Sequence, residues 1–590
     1  MIAYLAAVGV HNPTQEMYNQ MAHQLGYDLP LFLQFYKFLG DMLTGNWGIS
    51  ISLVQGLPVM DLILQGFPSM IEFIIFPVLI GIVIGVLFGK ISNRYRGKWV
   101  DKLIRLISIL AISFPVFFLG ILFQFVLYIT DSPIPVIGWK NPIYSSPPTV
   151  TGFRIFDAML EGQLYLVGDI ILHYLIPGII LFISTFAIIT RQTRAKHDNE
   201  THERSVISNT VTTASAFGFI FMAFFVIDMI FNLNSFGYMI VRAIYFYEYW
   251  LLRVCVFAIV MTLVVVLFIS NVIFILYNHI LKDRIRNRFK KISSRNVNSE
   301  EERIKTNPEE TLGKYIKSRM KSPICLLGLS LILIFVVSVL FSQMITGYSF
   351  EQAMTPDMGA WDPPSPAHPL GQTHLGGDVF ARTMYGIRDS LVFGFGTVLI
   401  GLIGGVSLGI LAGRFAKWGY KTVMGVMIIV YILPIFLIMI LINFFFGYGG
   451  WVAGYWLNLI VMGIFLIPII TRAVANSVEG KINIHKIIKQ VIIQIPLNVA
   501  VAILIYNTVG FLGFGPSGFI QLGNEIMEAR MNFIDAPWAF FWPGIAIFEL
   551  VASFLILHAG LKGFGRKLRK RKVIKNTKPI EERSPELEEL

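Results

Sequence analysis

Charge is scarce in this 590-residue chain: only 14% of its residues are Asp, Glu, Lys or Arg, against about 25% in soluble domains. That deficit excludes an ordinary water-soluble enzyme. Cysteine is scarcer still, with Cys255 and Cys325 alone, both inside apolar runs. Two such residues make neither a disulfide framework nor a zinc cluster. No phosphate-cradling glycine loop, HExxH pair or nucleophile–base constellation occurs either. What is abundant is apolar: 55% hydrophobic residues, 49 Phe and a mean hydropathy of +0.66. The composition is that of a polytopic membrane protein.

A spanning helix needs about 20 apolar residues. Runs of that kind lie near 69–90, 105–129, 170–190, 213–235 and 251–281, then near 323–343, 391–413, 421–447, 455–472, 494–513 and 538–561. The expected fold is therefore all-α, with about eleven transmembrane helices. Short-loop Lys and Arg set the orientation. Lys90, Arg94, Arg96, Lys98 and Lys102 cluster after the first run, Lys282 to Lys291 after the fifth, and Arg414, Lys417 and Lys421 after the seventh. Arg566 to Lys572 follow the last. The alternate loops, 130–168 and 344–389, carry Asp131, Asp157, Glu161, Glu351, Asp357, Asp362 and Asp378 instead. The net charge of +12 is thus cytoplasmic anchoring in a plasma-membrane protein with its C-terminus inside, and nucleic acid is not an expected partner.

Five segments follow: an external stretch 1–68, a first half 69–286 with five spans, a cytosolic linker 287–322, a second half 323–572 with six spans, and a polar tail 573–590. An external stretch with no helix before it predicts a late start, or a first helix supplied elsewhere. The halves repeat each other in parallel. Gly81, Gly85 and Gly89 match Gly401, Gly405 and Gly409, Pro115 matches Pro434, and Ile188-Ile189-Thr190-Arg191 returns as Ile469-Ile470-Thr471-Arg472. Glycines four apart let helices approach closely, so these six are read as packing positions. The two prolines are read as kinks and candidate hinges.

One string is specific: His368-Pro369-Leu370-Gly371 through Gly376-Gly377-Asp378 to Arg382, then Tyr385-Gly386-Ile387-Arg388-Asp389-Ser390. It resembles the external segment of the dipeptide/oligopeptide/nickel family of ABC-importer permeases. Gly510-Phe511-Leu512-Gly513, Gly523-Asn524-Glu525, Glu528-Ala529-Arg530 and Trp542-Pro543-Gly544 are similar to the same subunit. Gly45-Asn46-Trp47-Gly48, Phe67-Pro68-Ser69 and Phe231-Asn232 with Gly237 resemble its partner permease. The resemblance implies two fused permeases of type I ABC-importer fold. It also implies an external solute-binding protein and two ATPase subunits as partners, with ATP bound there and no cofactor on this chain. It departs from the family at Gln372, Thr373, His374 and Gly377, lacks the partner's first helix, and is shortened in both ATPase-coupling loops.

Those loops, 191–212 and 473–493, offer Arg191, Arg194 and Glu203, then Arg472, Glu479, Gly480, Ile487 and Ile488. Ile482, Ile484, Ile487 and Ile488 suit an apolar stripe for a partner groove or a membrane surface. His197, Glu200, His202 and Glu203 read as a solvated face, His368 and His374 as structural, so no metal site is assigned. Asp169, His173 and Asp228 sit at span boundaries, where an ionisable group is a functional candidate. The leading function is the permease of an ATP-driven importer of short peptides, with nickel or a chelated metal second. A degenerate permease serving as scaffold or receptor is the alternative, and a secondary transporter would need midplane charges that are nearly absent. Cysteines placed at 140 and 360 should label from outside, and those at 300 and 575 only after permeabilisation. Labelling of 140 and 300 from one side would refute this topology.

Overall fold

The computed structural model describes residues 14, 16, 19–20, 23, 28–50, 56–195, 202–246, 248–276, 311–355, 359–415, 418–432, 435–446, 453–478, 482–516 and 518–563. In the first half α1 (Leu31–Thr44), α2 (Val59–Arg94), α3 (Trp99–Ser113), α4 (Val116–Ile129), α5 (Arg154–Leu160), α6 (Leu164–Ala195), α7 (His202–Phe231), α8 (Phe236–Tyr245) and α9 (Tyr249–Leu276) follow in order. The second half holds α10 (Leu312–Met320), α11 (Pro323–Leu340), α12 (Ser342–Thr346), α13 (Phe350–Met354), α14 (Val379–Arg414), α15 (Trp418–Ile432), α16 (Ile435–Phe446), α17 (Ala453–Val478), α18 (Ile484–Phe511), α19 (Leu522–Ala529) and α20 (Pro537–Leu561). Among the described residues nine helices are long and apolar enough to cross a membrane, up to eleven if each of two bent pairs is one span. Each expected run is found. Several helices exceed it: α2 and α14 have 36 residues each, about 54 Å at 1.5 Å per residue, more than a hydrocarbon core of about 30 Å requires.

The repeat is structural. Helix α2 packs along α6 in the first half, as α14 packs along α17 in the second. The glycines make both seams. A Cβ on Gly81, Gly85 or Gly89 would lie 2.6–2.9 Å from Thr185, Ile189 or Thr193. On Gly401, Gly405 or Gly409 it would lie 2.6–2.9 Å from Leu466, Ile470 or Val474. At that distance only glycine fits, so the backbones touch where lipid supplies no hydrophobic driving force.

The second run does not cross straight. Helices α3 and α4 meet at 87°. Pro115 has no N–H to give and forces extended backbone on the residue before it, and Phe114 has φ −71° and ψ 118°. The corresponding pair α15 and α16 meets at 49°; Pro434 itself lies outside the described residues. The bent pair of one half then reaches the other half: α3 and α4 pack on α20, and α15 packs on α7 and α9. One apolar core runs through both halves.

Asp228 is no midplane charge waiting for a ligand. At the end of α7 it accepts hydrogen bonds from the N–H groups of Ser235 (3.2 Å) and Tyr238 (2.8 Å), fixing the start of α8. Asn507 does the same service near the end of α18, where its Oδ1 accepts from Gly523 N–H of α19 at 3.2 Å. Asp169 accepts from Asn141 N–H at 2.7 Å, tying the loop before α5 to α6, and His173 Nδ1 lies 2.8 Å from the Asp169 carbonyl. All three boundary groups are engaged by the backbone of their own half.

Replacing Gly405 by Leu should cost about 1–3 kcal/mol through overpacking. Gly425→Ala is the control, since nothing lies within 4 Å of that Cβ position. Thermal unfolding of the purified proteins in detergent should show a lower midpoint for Gly405→Leu alone. Equal midpoints would remove the seam from the account.

Candidate functional site

Between the halves lies a cavity of about 880 Å³. Each wall is one face of a helix, drawn by the 3.6-residue period. Helix α6 contributes Ser184, Ile188 and Arg191, α7 contributes Thr212, Ser215, Phe219 and Met222, and α17 contributes Ile469, Arg472 and Asn476. Helix α18 contributes Gln490, Gln494 and Asn498, spaced by four. Ile112, Phe114, Pro115 and Val116 at the α3–α4 bend line one side. The bend therefore opens the wall that a straight helix would have filled.

The cavity is polarised along its length. At one mouth stand Arg191, Arg319, Arg472, Lys489 and Lys562, and among the described residues no Asp or Glu lines the cavity. Arg194, one turn from Arg191, pairs with Asp101 at 2.7 Å, and Asp101 also accepts from Ser92 and from Gly97 N–H in the basic turn. This is thus the basic face of the protein. The Tyr315 ring lies between Lys489 (4.6 Å) and Arg319 (5.1 Å), and its hydroxyl donates to the Leu561 carbonyl at 2.9 Å. Lys562 is open to the cavity but walled by protein. That partial loss of water, with the repulsion of Arg191, Arg105 and Arg194, pushes its ammonium down to about 8.

The other end is shut. Phe117 of α4 stacks on Phe511 of α18 with ring centroids 4.8 Å apart, Phe225 of α7 meets Phe436 of α16 at 5.2 Å, and Tyr245 meets Phe514 at 5.1 Å. Arg530, in the single 3₁₀ turn after α19, donates to the carbonyls of Met229 (2.9 Å) and Ile230 (2.8 Å) at the end of α7. Gln124 donates to the Ile230 carbonyl as well, at 3.1 Å. Carbonyls in a last helical turn lack intrahelical partners, so an arginine from the opposite half satisfies them and ties the halves together.

The string from His368 folds as a cap on the start of α14. Asp378 accepts from Ala381 N–H at 2.7 Å, and Arg382 pairs with Glu525 through two bonds of 2.7 Å. His368 Nδ1 lies 3.1 Å from Asp378 Oδ1, whereas His374 Nδ1 lies 3.2 Å from Glu528 Oε2. The two histidines thus serve separate contacts, and among the described residues no three His, Cys, Asp or Glu gather to hold a metal ion.

The site residues expected from sequence divide. Arg191 and Arg472 belong to spanning helices and line the cavity from opposite halves, where the sequence had put them in loops. Arg194 is engaged by Asp101. The loops are shorter than expected because α6 runs to Ala195 and α17 to Val478, with α18 beginning at Ile484. Ile487 is buried in the core, while Ile482, Ile484 and Ile488 are exposed, so the apolar stripe loses its central member. Glu479 and Gly480 lie outside the described residues, as do His197 and Glu200; Glu203 and His202 stand in α7, and no more of them is described. Sequence reasoning missed Arg319, Lys562, Asn498 and Arg530 as cavity or closure residues. The four-residue spacing of Gln490, Gln494 and Asn498 within an apolar run was the available signal.

Hydrogen bonds from a charged donor contribute about 1.5–3 kcal/mol, so Arg530→Met should loosen the closed end. A cysteine at Thr508, on the cavity wall, should then react about tenfold faster with an impermeant maleimide added at the face opposite the basic one. Native Cys255 and Cys325 are buried and give little background. An unchanged rate would remove Arg530 as a latch.

Residues 81–202 match the family described as "Binding-protein-dependent transport system inner membrane component". The chain is 35% identical over 173 residues to the probable D,D-dipeptide transport system permease protein DdpB of Escherichia coli K12, covering 29% of this chain and 50% of that protein. It is 30% identical over 193 residues to the dipeptide transport system permease protein DppB of Alkalihalophilus pseudofirmus, covering 31% and 57%. To DppC of the same organism it is 28% identical over 269 residues, covering 42% and 86%. The chain thus spans about half the length of the first two relatives and most of the third. Residues 81–202 are thus similar to that membrane-component family, and separate parts of the chain are similar to dipeptide-transport permeases.

Proposed function

We propose that this protein is the membrane passage of an ATP-driven importer of short peptides, with its basic face and C-terminus in the cytoplasm. The observation that carries this reading is the cavity: both halves line it, it is open at the basic mouth, and aromatic rings and Arg530 shut the opposite end. Such a shape is one state of an alternating passage between two related halves. Relatives named for dipeptides favour peptides over nickel. A scaffold or receptor has no use for a cavity of this size built jointly by two halves, so transport is preferred.

In this reading an external solute-binding protein docks on the outer cap around 359–378, and hydrolysis of ATP on separate subunits rocks the halves against each other, with the α3–α4 bend at Pro115 as a hinge. The ATPases sit at the basic face, against the α6–α7 connection with Glu203 at the start of α7, and against the α17–α18 connection that holds Glu479 and Gly480. Asn483 caps α18 by accepting from Lys486 N–H at 3.2 Å, which presents Ile484 and Ile488 outward. Those two side chains form the docking edge.

Replacing Ile484 and Ile488 together with Asp should release the ATPase subunits in a pull-down and abolish uptake of labelled dipeptide, with the melting midpoint unchanged. Undiminished recovery of the ATPases would exclude this edge. Absence of peptide uptake by the unaltered protein, reconstituted with its ATPases and binding protein, would exclude the import reading itself.

A further inference from the structure

The five cations at the basic mouth exceed what anchoring in a membrane requires. Residues that obey the charge rule of short loops normally face water or lipid phosphates, whereas these line one cavity between the halves. Among the described residues, none of the ion pairs involves Arg191, Arg319, Lys489 or Lys562. Arg319 and Lys489 rest on the Tyr315 ring, a contact that leaves their charge uncompensated. Unpaired cations held together by a fold repel one another, so a fold that keeps them offers them an anion.

A second observation points the same way. Asn498 lines the cavity wall and is fully buried, yet neither its amide nitrogen nor its amide oxygen has a partner among the described residues. Gln494, one turn nearer the mouth on the same face of α18, leaves its oxygen unpartnered too. A buried amide without bonds costs about 1–3 kcal/mol, and a ligand carrying its own amide groups removes that cost. Beyond Asn498 the wall turns apolar, with Ile112, Phe114, Phe219, Met222, Val226 and Leu504. The cavity lies within the size range of small-molecule sites, about 300–1,000 Å³.

We propose that the basic mouth binds an anionic oxygen group, carboxylate or phosphate, borne on an apolar body, with Arg191 and Lys562 meeting the anion and Asn498 meeting amide groups behind it. For a peptide this selects a free C-terminus or an acidic residue next to apolar side chains. An anionic lipid entering between the halves presents the same head chemistry. The inference rests on the reading of the cavity as a peptide passage, and the following experiment separates the two.

The full chain is placed in nanodiscs of phosphatidylcholine, and binding of Leu-Glu, Leu-Gln amide and Leu-Lys amide is measured by thermophoresis. Leu-Glu should bind tightest, and Arg191→Gln and Lys562→Gln should each weaken it by about tenfold with little effect on the amides. Unchanged melting midpoints certify the fold; if Arg191→Gln fails to fold, Arg191→Lys and Lys562→Gln carry the test. Equal binding of all three peptides, insensitive to these substitutions, overturns the anion site and leaves the passage standing. In a second arm the discs also contain phosphatidylglycerol. Retention of that lipid by the unaltered protein but not by the variants, with no peptide bound in either arm, supports the anion site and overturns the peptide passage. Neither lipid retention nor preference for Leu-Glu overturns the proposal outright.

Discussion

Two glycine seams set the geometry on which the rest depends. A bilayer gives no hydrophobic reward for helix contact, so close packing of backbones has to supply it. Gly81, Gly85 and Gly89 against α6, and Gly401, Gly405 and Gly409 against α17, fix how those helices are rotated. Once the seams are made, the residues one face round from them point at the other half. Thr190 and Thr471 stay buried at the seams, and the arginines that follow them in sequence, Arg191 and Arg472, enter the cavity. The same four-residue word in both halves therefore produces two charges facing a common space.

The proline break completes what the seams begin. A straight α3–α4 would span the membrane beside its own half. Bent at Phe114–Pro115, it instead carries Phe117 and Phe118 to the other half, where they meet Phe511 and Phe540. The aromatic closure and the open mouth are thus two results of one interruption in a helix. Arg530 adds a directional tie to this stacking, because a guanidinium on helix-end carbonyls has a preferred geometry that stacked rings lack.

Much of this was legible in the residues. Apolar runs located the nine to eleven candidate crossing segments because membrane thickness imposes a length. Glycine spacing located the seams because only a missing Cβ permits such contact. The size of the bend was hidden: proline announces an interruption, but its neighbours in space decide whether the chain deviates by a little or by 87°. The arginines of the Ile-Ile-Thr-Arg words were assigned to loops since hydropathy ends a helix at its first charges, whereas here the helices continue and their arginines line the cavity. Ile487 was placed on an exposed stripe because periodicity identifies one face of a helix without saying how wide the buried part is. Asp228 drew attention as an ionisable group in an apolar run, and only the turn after α7 reveals that backbone N–H groups absorb it.

Helix α10 stands just beyond the segment joining the halves, and its Tyr315 and Arg319 are part of the cavity wall. Covalent continuity therefore does more than keep two similar bundles in the same membrane. It replaces a two-body encounter in the bilayer by an intramolecular one, at an effective concentration set by the joining segment. It also fixes the ratio of the two walls at one to one. Each half then always meets the same neighbour, and selection acts on the pair as a unit. Under that condition one half can keep a carboxylate where the other has an amide, as at Asp228 and Asn507, and a single arginine, Arg530, can serve carbonyls across the divide with no counterpart having to be maintained in return.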